Sequence, residues 1–182
     1  LIDTAARKIS VYIKQQVPEH PSSVEVLEYS IGMFLNIAAI IIGSLGVSYL
    51  TGNTTEIIII LISFSLLRQV SGGIHLKTGT ACAVVSITLF TLISFFNTDR
   101  DTLIHAITVI TLLIVLIYAP SNFEKQHNVP KKFYPLLKLI SFIMVMTNFV
   151  FVSDALAISF FIQSITLIIG REVKRYGSNS KA

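Results

Sequence analysis

The chain has 182 residues, 53% of them hydrophobic and only 13% charged, with a mean hydropathy of +0.75 and a formal net charge of +4. A soluble domain carries about 25% charged residues, so this composition argues against a water-soluble fold, and the single cysteine, Cys82, excludes an intrachain disulfide. The apolar residues come in long runs instead of alternating with polar ones, and runs of about 20 residues match the hydrocarbon core of a bilayer. The expected fold class is therefore an all-α polytopic membrane protein, a single membrane-embedded domain over residues 1–182 without internal repeats.

Residues 1–17 read as an amphipathic helix. Ile2, Ala5, Ala6, Ile9, Tyr12 and Ile13 fall at helical spacing, with Arg7, Lys8 and Lys14 on the other side. That pattern suits a helix lying in the membrane interface, and equally one packed on the rest of the protein. It lacks the continuous apolar region of a signal peptide. Pro18 and Pro21 end this helix, and Ser22 with Glu25 has capping-box spacing for the next.

Six apolar segments follow, at about 30–50, 55–70, 78–98, 102–120, 136–153 and 155–170. The second is short and runs into Arg68 and then Ser71-Gly72-Gly73. The fourth carries His105. Only Asp154 separates the last two, which read as a tight hairpin.

Charge sets the expected orientation. If all six segments cross, one side receives Arg7, Lys8, Lys14, Arg68, Lys77, Lys125, Lys131, Lys132, Lys138, Arg171, Lys174, Arg175 and Lys181, which is 13 of the 14 Lys and Arg residues. The other side receives Arg100 alone, between Asp99 and Asp101. The positive-inside rule then places both termini and the 68–77 and 121–138 loops in the cytoplasm. The positive charge is accounted for by topology and lipid headgroups; nucleic acid is not an expected partner.

The stretch Arg68-Gln69-Val70-Ser71-Gly72-Gly73-Ile74-His75-Leu76-Lys77-Thr78-Gly79-Thr80-Ala81-Cys82 holds the residues that can do chemistry. A lone cysteine in an apolar helix is commonly an inert small hydrophobe. Cys82, however, sits near the cytoplasmic end of the third segment, and a cysteine nucleophile needs a base beside it, a role that suits His75. On one unbroken helix, residues seven apart lie about 10 Å from each other along the axis, too far for direct proton transfer. A Cys82–His75 pair therefore requires a bend in the 71–79 stretch, with Gly72, Gly73 and Gly79 as the residues able to supply it. Such irregular backbone at membrane depth must be buried in protein or line a polar cavity. Arg68 either snorkels to the headgroups or stabilises a thiolate or a substrate carboxylate. Lys131 and Lys132 are topogenic charges that can also attract an acidic peptide. One cysteine and four scattered histidines give no paired zinc-type spacing, so neither a metal nor a cofactor is expected.

The Arg68…Gly72-Gly73-x-His75…Cys82 arrangement, the six apolar segments and Tyr118-Ala119-Pro120 at the end of the fourth resemble the accessory gene regulator B (AgrB) family over essentially the whole chain. The resemblance implies a membrane cysteine endopeptidase of Gram-positive quorum sensing. Such an enzyme cuts the C-terminal tail from an AgrD-type propeptide, holds the new carboxyl end as an acyl-enzyme thioester, and promotes thiolactone or lactone closure. It assigns the nucleophile to Cys82 and the base to His75, with Arg68 and Gly73 in support. The 120–130 loop departs from the family pattern, since Asn128-Val129 precede Pro130. Expected partners are the propeptide, the lipid bilayer and, as an option, a second copy of the chain in a homodimer; the expected location is the cell membrane. The competing class is a non-enzymatic peptide permease or scaffold in which Cys82 is inert packing. A transporter more often carries charges well inside its segments, and this chain has almost none.

Overall fold

The apolar runs are helices. The computed structural model describes residues 1–74, 78–121 and 130–179, with side chains as far as Glu172. Eight α-helices are found among the described residues: α1 (Ile2–Gln16), α2 (Val24–Thr51), α3 (Thr54–Ser71), α4 (Gly79–Ser94), α5 (Asp101–Tyr118), α6 (Tyr134–Met146), α7 (Asn148–Phe151) and α8 (Asp154–Asn179). Five stretches are long and apolar enough to cross a membrane: α2, α3, α5, Lys131–Phe151 and Asp154–Glu172; α4 is a shorter apolar helix. The protein is thus an all-α polytopic membrane protein. The chain divides into two compact units, one of Leu1–Gly52 with His75–Thr91, the other of Asn53–Ile74 with Leu92–Ala182.

In the first unit α1 packs along α2. Its buried residues are small: Ala6 and Ser10 are inside, and a Cβ at Gly32 of α2 would touch Ala6 Cβ at 3.5 Å. Ile9 and Tyr12 from the predicted apolar face stay exposed. Small residues face the protein, and the large apolar ones are left for another surface. Arg7 pairs with Glu28 at 3.5 Å on the exposed side. The start of α2 corrects the capping expectation by one residue. Ser23 is the N-cap and accepts from Val26 N at 3.4 Å, whereas the Ser22 amide donates to His20 Nδ1 at 3.1 Å. From there α2 runs 28 residues, about 42 Å, and stops at Gly52 in the left-handed conformation with φ 78°.

The second unit is built on α3, α5, α6 and α8. The segment predicted to be short becomes an 18-residue α3, about 27 Å long, because polar residues at both ends join it. Its buried positions, Ile57, Ile60, Ser63, Phe64, Leu67 and Ser71, form one helical stripe. Helix α8 packs chiefly on α5 and α3, and α6 also packs on both. The expected hairpin does turn tightly, at Val152 with φ 46°, but its two arms find their main partners elsewhere. Leu67, Val115, Ala119, Val145, Phe160 and Leu167 make the core. Polar pairs join the helices as well: Ser63 with Ser159 at 2.8 Å, and Asn148 Nδ2 donating to Thr108 Oγ1 at 3.0 Å. Such bonds are worth having where water cannot compete.

Helix α8 continues past Gly170, where the sequence suggested an end. The missing side chain serves packing instead, since a Cβ at Gly170 would meet Ile74 Cγ2 and Ser121 Oγ at 3.3 Å each. Within this unit the chain ends sort cleanly. Asn53, Ser94 and Asp154 line a cavity of about 410 Å³ at one end. Ser71, Ser121, Lys138 and Arg171 gather at the other.

Candidate functional site

Helix α3 ends where its sequence becomes Ser71-Gly72-Gly73. Gly72 has φ 80° and ψ −143°, and Gly73 has φ 130°, conformations that only glycine adopts without strain. The chain leaves the helix abruptly, and its backbone polar groups must be satisfied by other means. They are. Gly72 N donates to Arg68 O at 2.9 Å, Ser121 N donates to Ser71 O at 2.9 Å, and Gly73 N donates to Ser121 O at 3.0 Å. Gln163 Nε2, from α8, donates to Gly72 O at 2.7 Å and lies 3.2 Å from Ser71 Oγ. Arg68 Nη2 donates to Ile74 O.

This turn is buried in protein. Ser71, Gln163 and Ser164 have no exposed surface, and Ser121 Oγ donates to Leu167 O at 3.0 Å. Thr166 Oγ1 donates to Gln163 O at 2.7 Å and lies 3.2 Å from Gln163 Oε1, which helps fix the amide. A Cβ on Gly73 would come within 2.6 Å of Thr166 Oγ1. The second glycine is therefore required by a close approach as well as by its φ.

The structure brings Arg68, Gly72 and Gly73 together in the second unit. Arg68 has a definite task there. Its guanidinium stands 6.0 Å from the Phe64 ring and holds the carbonyl immediately before residue 75. His75 itself lies outside the described residues, as do Lys77 and the loop positions Asn128 and Val129.

Cys82 belongs to the first unit, in the opening turn of α4. Thr78 begins that turn, with its Oγ1 accepting from Ala81 N at 3.2 Å and its carbonyl from Cys82 N at 3.1 Å. The cysteine is a free thiol of intermediate exposure. The break expected within residues 72–79 begins at Gly72-Gly73: Gly79 is the first residue of α4, and positive φ among the described glycines is confined to Gly52, Gly72 and Gly73. Gly79 makes room for α1. Its N–H donates to Asp3 Oδ1 at 3.1 Å, and a Cβ there would meet Ile2 Cγ2 at 3.1 Å. Lys131 and Lys132 form a single 3₁₀ turn with Phe133 ahead of α6, with Lys132 Nζ 5.1 Å from the Phe133 ring.

Sequence reasoning missed Gln163, Ser121 and Thr166. A usable signal was present. Gln163 is the one amide side chain in the 155–170 apolar run, and a strongly polar group in a membrane-length helix needs a partner.

The accessory gene regulator B model matches residues 6–170. An accessory gene regulator protein B of Staphylococcus intermedius is 28% identical over 155 residues, covering 81% of this chain and 81% of the relative. One from Staphylococcus aureus is 29% identical over 117 residues, 59% of this chain and 62% of the relative. An AgrB-like protein of Clostridium acetobutylicum is 27% identical over 179 residues, 95% of this chain and 76% of the relative. No solved structure matches the chain. The family match runs from the amphipathic α1 through the glycine turn and Cys82 to Gly170 on α8, and the chain belongs to the accessory gene regulator B family.

Proposed function

We propose that the protein is a membrane cysteine endopeptidase that removes the C-terminal tail of an AgrD-type quorum-sensing propeptide and promotes closure of its thiolactone or lactone ring. The observation that carries this reading is the hydrogen-bonded Ser71–Ile74 turn. Five of its backbone polar groups are held by Arg68, Ser121 and Gln163, so the backbone is fixed as far as Ile74. Family membership and the sole thiol in the first turn of α4 support the same reading.

In this mechanism His75 takes the Cys82 thiol proton, and the thiolate attacks the scissile carbonyl. Collapse of the tetrahedral adduct breaks the peptide C–N bond. His75 returns the proton to the leaving amine, and the acyl group remains on Cys82 as a thioester. A thiol or hydroxyl within the same peptide then attacks that thioester, closes the ring and frees Cys82. Tethering favours this attack over hydrolysis, because a well-placed intramolecular nucleophile has an effective molarity of about 10⁵ M or more. Lys131 and Lys132 attract the acidic part of the substrate.

The orientation proposed with this function puts both termini, the glycine turn and the Lys131–Lys132 turn in the cytoplasm. The test is propeptide cleavage by the wild type, Cys82→Ala, His75→Ala and the double variant, expressed per folded molecule. Both single variants are expected to be inactive and the double no worse, because residues acting as one unit are non-additive. Near-wild-type cleavage by Cys82→Ala would exclude the reading and favour a permease or scaffold.

A further inference from the structure

The C-terminal end of α5 has a capping problem that the protein solves with two cations. Leu116 O would normally accept from the amide of residue 120, but that residue is Pro120 and has no N–H. Ile117 O would accept from Ser121 N, which is already bonded to Ser71 O. Lys138 Nζ, from α6, donates to Leu116 O at 2.7 Å, and Arg171 Nη1, from α8, donates to Ile117 O at 3.2 Å. Capping explains why the two side chains converge. It does not use them up, since an ammonium and a guanidinium each keep further N–H donors.

The space around them is open. Among the described residues a cavity of about 530 Å³ is lined by 117–121, Tyr134, Pro135, Lys138 and Arg171, with no carboxylate in that set. Arg171 stacks on Tyr118 with its guanidinium carbon 5.5 Å from the ring centroid, which braces the cation at the cavity wall. The cavity lies at the ends of three membrane-length stretches, α5, Lys131–Phe151 and Asp154–Glu172, the depth at which phospholipid headgroups sit. Beside it, Ile117 on α5 and Leu136, Leu139 and Ile143 on α6 are about half exposed or more. A ligand suited to this place has an anionic head and an apolar body.

We propose that this cavity binds the phosphate of an anionic phospholipid, with Lys138 and Arg171 as the anion donors and the acyl chains lying along α5 and α6. Basic pockets at the ends of membrane helices favour anionic lipid on general electrostatic grounds. Lipid binding here does not draw on Cys82 chemistry and stands whether or not the protein is a peptidase.

The test uses the full chain in a neutral detergent, with thermal unfolding followed as lipid is added and native mass spectrometry counting retained lipid. Dioleoylphosphatidylglycerol is expected to raise the midpoint and stay bound, and dioleoylphosphatidylcholine at the same concentration is not. Lys138→Gln and Arg171→Gln should each weaken the phosphatidylglycerol affinity about fivefold, and Lys138→Arg should retain it. Both neutral variants also lose a helix cap, so the lipid-dependent increment decides, not the starting midpoint. Should Lys138→Gln fail to fold, Arg171→Gln on the exposed side decides alone. Equal increments from phosphatidylcholine, an equal increment from inorganic phosphate, stronger stabilisation by a glutamate-rich peptide, or undiminished phosphatidylglycerol binding by Arg171→Gln would each overturn the assignment.

Discussion

Gln163 Nε2 donates to the carbonyl of Gly72 at 2.7 Å, joining α8 to the turn after α3 across 91 residues of sequence. Gln163 has no exposed surface, so its loss leaves a buried carbonyl without that partner. Such a loss costs about 1–3 kcal/mol. Gln163→Ala is therefore expected to lower stability by that amount and to reduce cleavage per folded molecule. Unfolding in denaturing detergent and a cleavage assay check the two effects separately. Unchanged stability would mean that the Gly72 carbonyl has another donor.

Two glycines give opposite expectations. Gly73 has φ 130°, and an added Cβ would come within 2.6 Å of Thr166 Oγ1, whereas a Cβ at Gly46 in α2 meets nothing within 4 Å. Gly73→Ala should destabilise by about 1–3 kcal/mol through backbone strain, with the clash adding to it. Gly46→Ala should stabilise by about 0.5–1 kcal/mol, as a glycine removed from a helix interior. Thr166→Ala in the Gly73→Ala background should recover the clash but not the strain. Comparable effects at both glycines would contradict the geometry of the turn.

Labelling of introduced cysteines in a Cys82→Ala background checks the orientation. In the second unit Asn53, Ser94 and Asp154 share one end and Ser121, Lys138 and Arg171 the other. Labels at Thr51 and Asp99 should be reached from outside the cell, and labels at Lys131 only after permeabilisation. The reverse pattern would invert the proposed site and put Cys82 beyond reach of a cytoplasmic propeptide.

Much of this was legible in the sequence, for physical reasons. Apolar runs of bilayer length can only be helices, and an Arg68 near a double glycine marks the end of one. Contacts between distant segments were not legible. The amide of Gln163 shows that a polar partner exists, but not that it is Gly72, because pairing depends on how α3 and α8 pack. Gly170 resembles a helix stop until Ile74 and Ser121 are seen against it. Gly79 resembled a hinge because its neighbour in space, Ile2, is far away in sequence. The one-residue miss at Ser22 is of another kind: either serine can cap, and Ser22 is drawn aside by His20.

The most direct test of the central claim is to trap the acyl-enzyme. A propeptide whose internal nucleophile is replaced by alanine can be cleaved but cannot close its ring, so the thioester should accumulate. Intact-mass spectrometry of the full chain incubated with this peptide is expected to show an adduct equal to the N-terminal fragment. Digestion should place it on the peptide containing Cys82, and neutral hydroxylamine should release it. Cys82→Ala should show neither adduct nor cleavage. Cleavage without an adduct in the wild type, or an adduct that persists in Cys82→Ala, would contradict the account.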